Sequence, residues 1–131
     1  MKRVALALCF MCSCHALATP CSGVERTLTQ ERKGELSPAV ATQLNIESAE
    51  ILQSYHYHGW FIIYVETHVS DEAFLFYKGD PAKSRYLTTW GGSATKYEGA
   101  EIERWVRKNA KGIPTKLAQC FAWHVTRDRD L

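Results

Sequence analysis

The sequence has no long hydrophobic run and none of the common catalytic motifs. Its longest apolar stretches are residues 4–12 and 60–65, whereas a helix that spans a bilayer needs about 20 apolar residues. The sequence contains no G-x-S-x-G, no H-E-x-x-H and no phosphate loop ending in Gly-Lys-Ser/Thr. These absences argue against a transmembrane helix and against the hydrolase and nucleotide-binding classes that carry those motifs.

The first eighteen residues have the order of features found in a secretory signal peptide. Lys2 and Arg3 precede the apolar stretch 4–12, and residues 16–18 (ALA) form an A-x-A cleavage site. We therefore predict cleavage after Ala18, which leaves residues 19–131 as a single exported domain with a periplasmic location. A lipoprotein is the alternative, but the proline before Cys21 is a poor context for lipid attachment.

The chain also lacks an excess of charge of either sign. Its 16 Lys and Arg residues include Lys2 and Arg3 of the predicted signal, so residues 19–131 carry 14 basic and 14 acidic side chains. A neutral domain offers no broad basic surface to nucleic acid or to anionic lipid. We expect neither nucleic acid nor a membrane as a partner once the signal is removed, and no motif indicates a cofactor.

Cysteine is scarce after the predicted cleavage. Three of the five cysteines lie within residues 1–18, which leaves Cys21 and Cys120. Two cysteines in an oxidising compartment most simply form one disulfide. The bridge would join the two ends of the exported domain and close a loop of about 100 residues.

Cys120 also lies four positions before His124, and this spacing raises a second interpretation. On a helix, residues i and i+4 are neighbours, so a Cys–His nucleophilic pair is possible in a small exported hydrolase. Leu117 and Phe121 share the same helical face, which favours burial, and Cys21 is available as an oxidised partner. We therefore predict that Cys120 is bridged, and we keep the hydrolase as the alternative.

The pattern of apolar residues predicts an α+β fold. We expect an irregular arm over residues 19–36 and a short helix near 38–45 that begins at Ser37 and Pro38. Four short strands then follow within residues 50–90 as an antiparallel meander, and two C-terminal helices pack on one face. In the first strand, simple alternation places Ile51, Gln53, Tyr55 and Tyr57 on one side.

Two histidines in the segment YHYHG are weak candidates for metal ligands. His56 and His58 would project to the same side of a strand, but a zinc site needs further ligands. If Gly59 turns a hairpin, His68 lies more than about 20 Å from His56 and cannot complete the site. A metal carrier is therefore a minor alternative.

Aromatic residues are abundant for one small domain. The sequence has 4 Trp, 6 Tyr and 5 Phe, and exposed Trp and Tyr are typical anchors of protein interfaces. Trp90 and Tyr97 flank a glycine pair, and Trp123 lies off the apolar face of its helix. We predict a partner-binding surface formed by Trp90, Tyr97, Trp123, Asp80 and Lys83.

These features together are similar in general character to small periplasmic inhibitor and immunity proteins. The predicted function is an exported, non-enzymatic binding protein that blocks a protein partner, either a toxin or a cell-wall-degrading enzyme. The predicted disulfide carries this hypothesis, because it removes the only plausible nucleophile.

Overall fold

The computed structural model describes residues 13–14 and 17–129. Most of the predicted signal peptide therefore lies outside the described residues. The elements follow the order α1 (Gln30–Leu44), β1 (Glu50–Tyr57), β2 (Trp60–Glu66), β3 (Ala73–Lys78), β4 (Thr88–Gly91), α2 (Gly99–Asn109), α3 (Thr115–Trp123) and a π-helical segment, His124–Asp128. The α+β prediction is confirmed.

The four strands form one antiparallel sheet in sequence order, β1-β2-β3-β4. The β1–β2 link has only two residues, His58 and Gly59, and both have positive φ (48° and 78°). Positive φ at both positions is the requirement of a type I′ hairpin, which explains the glycine. Tyr57 pairs with Trp60 across this turn, as the predicted hairpin register requires.

A β-bulge in β1 corrects the predicted face of Ile51. The register shifts between Ile51, which pairs with Val65, and Gln53, which pairs with Tyr64. The extra residue, Leu52, turns Ile51 to the opposite side of the sheet from Tyr55. Simple alternation predicted both on one side and was wrong, because a bulge leaves no clear signal in a sequence of alternating residues.

Helix α1 is longer than predicted and begins earlier. It starts at Gln30, with Thr29 as the N-cap, so the irregular arm ends at residue 29 and not at 36. Ser37 and Pro38, predicted to begin the helix, lie inside it. The prediction failed because Gly34 and the charged residues around it show little periodicity, while proline within a helix is disfavoured. The buried side chains Leu36 and Val40 hold this helix against the sheet.

We expect Thr29→Ala to lower the free energy of unfolding by about 1 kcal/mol, because the Thr29 hydroxyl accepts the Arg32 backbone N–H at 3.1 Å. Ser37→Ala is the matched control, and it should have little effect because alanine is favoured inside a helix. Urea unfolding followed by circular dichroism measures both. The helix boundary is wrong if Ser37→Ala is the more damaging change.

The sheet is covered on both faces, which explains why the segment WFIIYV of β2 is apolar at every position. One face, here the α1 face, buries Ile51, Ile63, Val65, Leu75 and Tyr77 beneath α1. The other, the C-terminal face, buries Tyr55, Ile62, Phe74 and Phe76 beneath α2 and α3. Within the described ranges, no helix is both long and apolar enough to cross a membrane.

Helix α3 presents the predicted apolar face to the sheet. Ile113, Leu117, Cys120, Phe121 and His124 are all buried, which confirms the helical spacing read from the sequence. On α2, Ile102 and Val106 are buried, and Glu103 accepts from Arg107 at 2.6 Å on the outer surface. Both members of the Cys120–His124 pair thus point into the core.

Candidate functional site

Cys120 is joined to Cys21 by a disulfide that links α3 to the start of the N-terminal arm. The predicted bridge is confirmed. Cys120 is fully buried, and a sulfur in a disulfide has no thiolate with which to attack a substrate. The bridge therefore argues against the alternative in which Cys120 serves as a nucleophile paired with His124.

His124 is a buried histidine without a hydrogen-bond partner. Its exposed fraction is 2%, and neither ring nitrogen forms a hydrogen bond with any described residue. The nearest carboxylate oxygen, Asp128 Oδ2, is 3.7 Å from Nδ1. The ring instead lies against the aromatic rings of Tyr55 and Phe74, with centroids 5.2 and 6.0 Å away.

Burial lowers the pKa of His124, and the guanidinium groups of Arg26 and Arg129 lower it further, against the opposing effect of Asp128. The imidazole is therefore neutral at pH 7. No hydroxyl or thiol within the described chain is hydrogen-bonded to either of its nitrogens. The pair of His124 and Asp128 thus lacks the nucleophile that an activated dyad requires.

Arg26 covers this buried region from the N-terminal arm. Its guanidinium lies 4.3 Å from the centre of the Tyr55 ring and donates to the Tyr55 hydroxyl at 2.8 Å. The Tyr55 hydroxyl donates to Gln53 Oε1 at 2.7 Å, and burial raises the pKa of Tyr55 far above its ordinary value. Tyr55 therefore remains protonated, and its hydroxyl serves as a structural link between the arm and β1.

The two histidine candidates for metal binding are occupied by ring stacking. His56 stacks on Phe61 at 4.1 Å between centroids, and His58 stacks on Tyr57 at 4.0 Å. His68 lies at the other end of the hairpin, where its Nε2 is 3.9 Å from Glu50 Oε2. Among the residues with described positions, no group of three or more His, Cys, Asp or Glu side chains could hold a metal ion.

The predicted partner-binding residues divide between two parts of the molecule. Asp80 lies after β3, near α1, where it forms a salt bridge of 2.6 Å with Arg32 and accepts the Ala82 N–H at 2.9 Å. Partial burial alone would raise the pKa of Asp80, but these hydrogen bonds outweigh it and lower the pKa. Lys83 is exposed in the same loop. Asp80 thus has a structural role in this loop.

Trp90 lies at the opposite end of β3, paired with Phe74, and is only partly exposed. Its ring contacts Phe121 at 5.5 Å between centroids, and the Arg129 guanidinium lies 5.8 Å from its centre. Arg129 also donates to the backbone carbonyl of Gly92. Trp90 therefore belongs partly to the core, which makes it a poor probe of a binding surface.

Tyr97 and Trp123 come together at one open groove. Tyr97 is 83% exposed on the β4–α2 loop, and Trp123 is partly exposed at the end of α3. Between them lies a groove of about 490 Å³ that is also lined by Lys96, Glu103, Gln119 and Arg127. We call this the aromatic groove. Its volume is within the range of ordinary ligand and peptide sites.

A second depression of about 680 Å³ adjoins the aromatic groove and shares Thr126 and Arg127 with it. Two acidic residues, Asp71 and Glu72, and two basic residues, Arg127 and Arg129, line this depression. The two concave regions therefore lie side by side at one end of the molecule. The β4–α2 loop and the π-helical segment contribute to it.

Sequence reasoning missed Lys96 and Arg127 of this surface and the basic segment to which they belong, because the domain as a whole is neutral. Residues 96–127 contain seven Lys and Arg against three Glu: Lys96, Arg104, Arg107, Lys108, Lys111, Lys116 and Arg127, with Glu98, Glu101 and Glu103. A count of charge by segment would have found this local excess. The net charge of the whole domain hides this local excess, because most of the acidic residues lie before residue 92.

Comparisons with known protein families, with curated proteins and with solved structures found no match to this chain.

Proposed function

We propose that this protein is exported to the periplasm and binds and blocks a protein partner, either a toxin or a cell-wall-degrading enzyme. The observation that carries the proposal is the nearly fully exposed Tyr97 beside Trp123 at an open groove. Large aromatic side chains at a concave surface are typical energetic anchors of protein interfaces. The buried, disulfide-bonded Cys120 supports a binding role over a thiol mechanism.

The rigid support of the groove favours this function. The β4–α2 loop is held by a turn in which Glu98 Oε2 accepts the Thr95 N–H at 2.6 Å and the Glu98 N–H donates to Thr95 O at 3.1 Å. Hydrogen bonds from Thr95 lower the pKa of Glu98, so its carboxylate stays ionised and engaged. A loop that is already ordered loses less entropy when it binds a partner.

The test is affinity capture of a partner from envelope extracts with the mature, oxidised protein, followed by assay of the captured enzyme or toxin. We expect the double variant Tyr97→Ala and Trp123→Ala to weaken binding and inhibition at least about tenfold, as truncation of interface anchors usually does. The matched control is Lys83→Ala, which truncates an exposed side chain in the distant β3–β4 loop. It should bind as the wild type does.

Circular dichroism and urea unfolding must show that the double variant remains folded. The proposal is rejected if a specific partner binds and is inhibited equally well after both aromatic truncations. It is also rejected if the captured partner keeps its full activity in the complex.

A further inference from the structure

The aromatic groove carries two cations that form no salt bridge with any described residue. Lys96 Nζ lies 5.1 Å from the centre of the Tyr97 ring, and Arg127 also lines the groove. Exposed cations without a salt-bridge partner are available to form charge-assisted hydrogen bonds with anionic groups.

No nearby carboxylate pairs with Lys96 or Arg127 in the described chain. Asp71 and Glu72 line the adjoining depression together with Arg127 but form no salt bridge with it. Glu103 is the one acidic residue among the described groove-lining side chains, and its Oε1 is 2.6 Å from Arg107 Nη2. Glu98 accepts from the Thr95 backbone N–H. No described carboxylate therefore forms a salt bridge with Lys96 or Arg127, and both cations can pair with an anionic group of a partner.

Signal removal would add a third positive charge. Pro20 lines the groove, so cleavage after Ala18 would leave a new amino terminus at Thr19, next to this residue. A free α-amino group is largely protonated near neutral pH, since its ordinary pKa is about 7.7 to 8.0. The processed protein would thus be more attractive to an anionic group than its precursor.

We propose that the aromatic groove binds an acidic peptide segment of the partner, with Lys96 and Arg127 pairing to its carboxylates and with Tyr97 and Trp123 packing on an adjacent apolar side chain. This inference rests on the proposed blocking function and specifies its partner. Charge complementarity favours an acidic protein segment over nucleic acid. Two or three cations, with Glu98 and Glu103 close to them, do not form the extended basic stripe that a phosphate backbone requires.

The test begins without any partner. A random 12-residue peptide library is selected on the mature, oxidised protein, and the affinity of the enriched peptides is measured by calorimetry. We expect enrichment of Asp and Glu next to an aromatic or aliphatic residue. The double variant Lys96→Glu and Arg127→Glu should weaken binding at least about tenfold, and raising the salt concentration from 50 to 500 mM should weaken binding to the wild type.

The control reverses two exposed charges of the β3–β4 loop, Lys83→Glu and Arg85→Glu, and so changes the net charge by the same amount. It should leave peptide binding unchanged. The proposal is overturned if no acidic peptide is enriched, or if both charge-reversal variants weaken binding equally. It is likewise overturned if Lys96 and Arg127 are required for binding to a 20-nucleotide DNA or to vesicles with anionic lipid, and not for binding to the peptides.

The same variants separate this inference from the proposed function. If an envelope partner is blocked by the wild type and by Lys96→Glu, Arg127→Glu alike, blocking stands and the acidic segment is wrong. If acidic peptides bind in the groove but the protein blocks no envelope partner, the groove chemistry stands and the blocking function is wrong.

Discussion

Cys21→Ser is expected to lower the free energy of unfolding by about 3 to 5 kcal/mol, the range for a bridge that closes a loop of this length. The disulfide joins residues 99 apart, so its loss greatly increases the freedom of the unfolded chain. It also frees the arm, in which Val24 is buried against the C-terminal face and Glu25 pairs with His56. Because natural domains have a free energy of unfolding of only about 5 to 15 kcal/mol, the expected loss is a large fraction of the total stability.

Cys21 is the better of the two positions for this test, because it is partly exposed whereas Cys120 is fully buried. Cys21→Ser removes the bridge and leaves the packing of Cys120 in place. The matched control is Ser22→Ala, an exposed neighbour in the same turn. Urea unfolding of the oxidised proteins measures the effect, with reduced wild type as a second comparison.

Two outcomes would contradict the expected effect of the disulfide. One is a loss of less than about 1 kcal/mol in Cys21→Ser, far below the entropic contribution of a bridge of this span. The other is a free thiol in native, unreduced protein, measured after denaturation. That second result would return the Cys120–His124 pair to consideration as a reactive site.

The second large effect is expected on acidification. Because the pKa of His124 is lowered in the folded protein, the unfolded chain binds a proton below about pH 6.5 that the folded protein does not. The contribution of the buried, neutral His124 to the free energy of unfolding is therefore fully present above pH 6.5. It is lost as the pH falls below 6.5, because protonation then stabilises the unfolded chain. For one proton, the loss steepens toward a limit of about 1.4 kcal/mol per pH unit below pH 6.5.

The groups around His124 fix the sign of this effect. Arg26 and Arg129 remain positively charged throughout this range and oppose protonation, whereas the Asp128 carboxylate favours it. Burial is the largest influence, and it also opposes protonation. The carboxyl groups with lowered pKa values, Glu25, Glu66, Asp80 and Glu98, lose their stabilising effect only below about pH 5, where unfolded carboxylates begin to titrate.

The variant His124→Phe distinguishes the effect of His124 on the pH dependence of stability from the effect of those carboxyl groups. Phenylalanine keeps an aromatic ring against Tyr55 and Phe74 and removes two buried nitrogens that have no hydrogen-bond partner among the described residues. We expect its stability to be nearly constant between pH 7 and pH 5, as measured by urea unfolding at each pH. His68→Gln, at an exposed turn, should keep the wild-type slope. Parallel curves for wild type and His124→Phe would refute the assignment to His124.

The failure at α1 shows the limit of local signals. Ser37 followed by Pro38 is a good helix start by sequence rules, yet Thr29 caps the helix and Pro38 lies within it. Burial of Leu36 and Val40 against the sheet outweighs the cost of the proline. Packing decided that the helix is capped by Thr29 and not by Ser37. Packing depends on contacts between residues that are distant in the sequence.

The candidate site was predictable only in part. Exposed aromatic anchors were predicted, and Tyr97 and Trp123 do line one groove. Asp80 and Lys83 were grouped with them, but they lie in a loop at the other end of β3. The sequence does not show this separation, because the direction of each strand determines which end of the sheet each loop reaches.

The sequence by itself determined the strands, the hairpin turn at His58 and Gly59, the apolar face of α3 and the pairing of Cys21 with Cys120, because each depends on local periodicity or on the few residues available. Only the tertiary structure decided where α1 begins, that Ile51 faces away from Tyr55, and which aromatic and basic side chains share a groove. These features arise from contacts between residues distant in the chain, where packing and burial outweigh local preference.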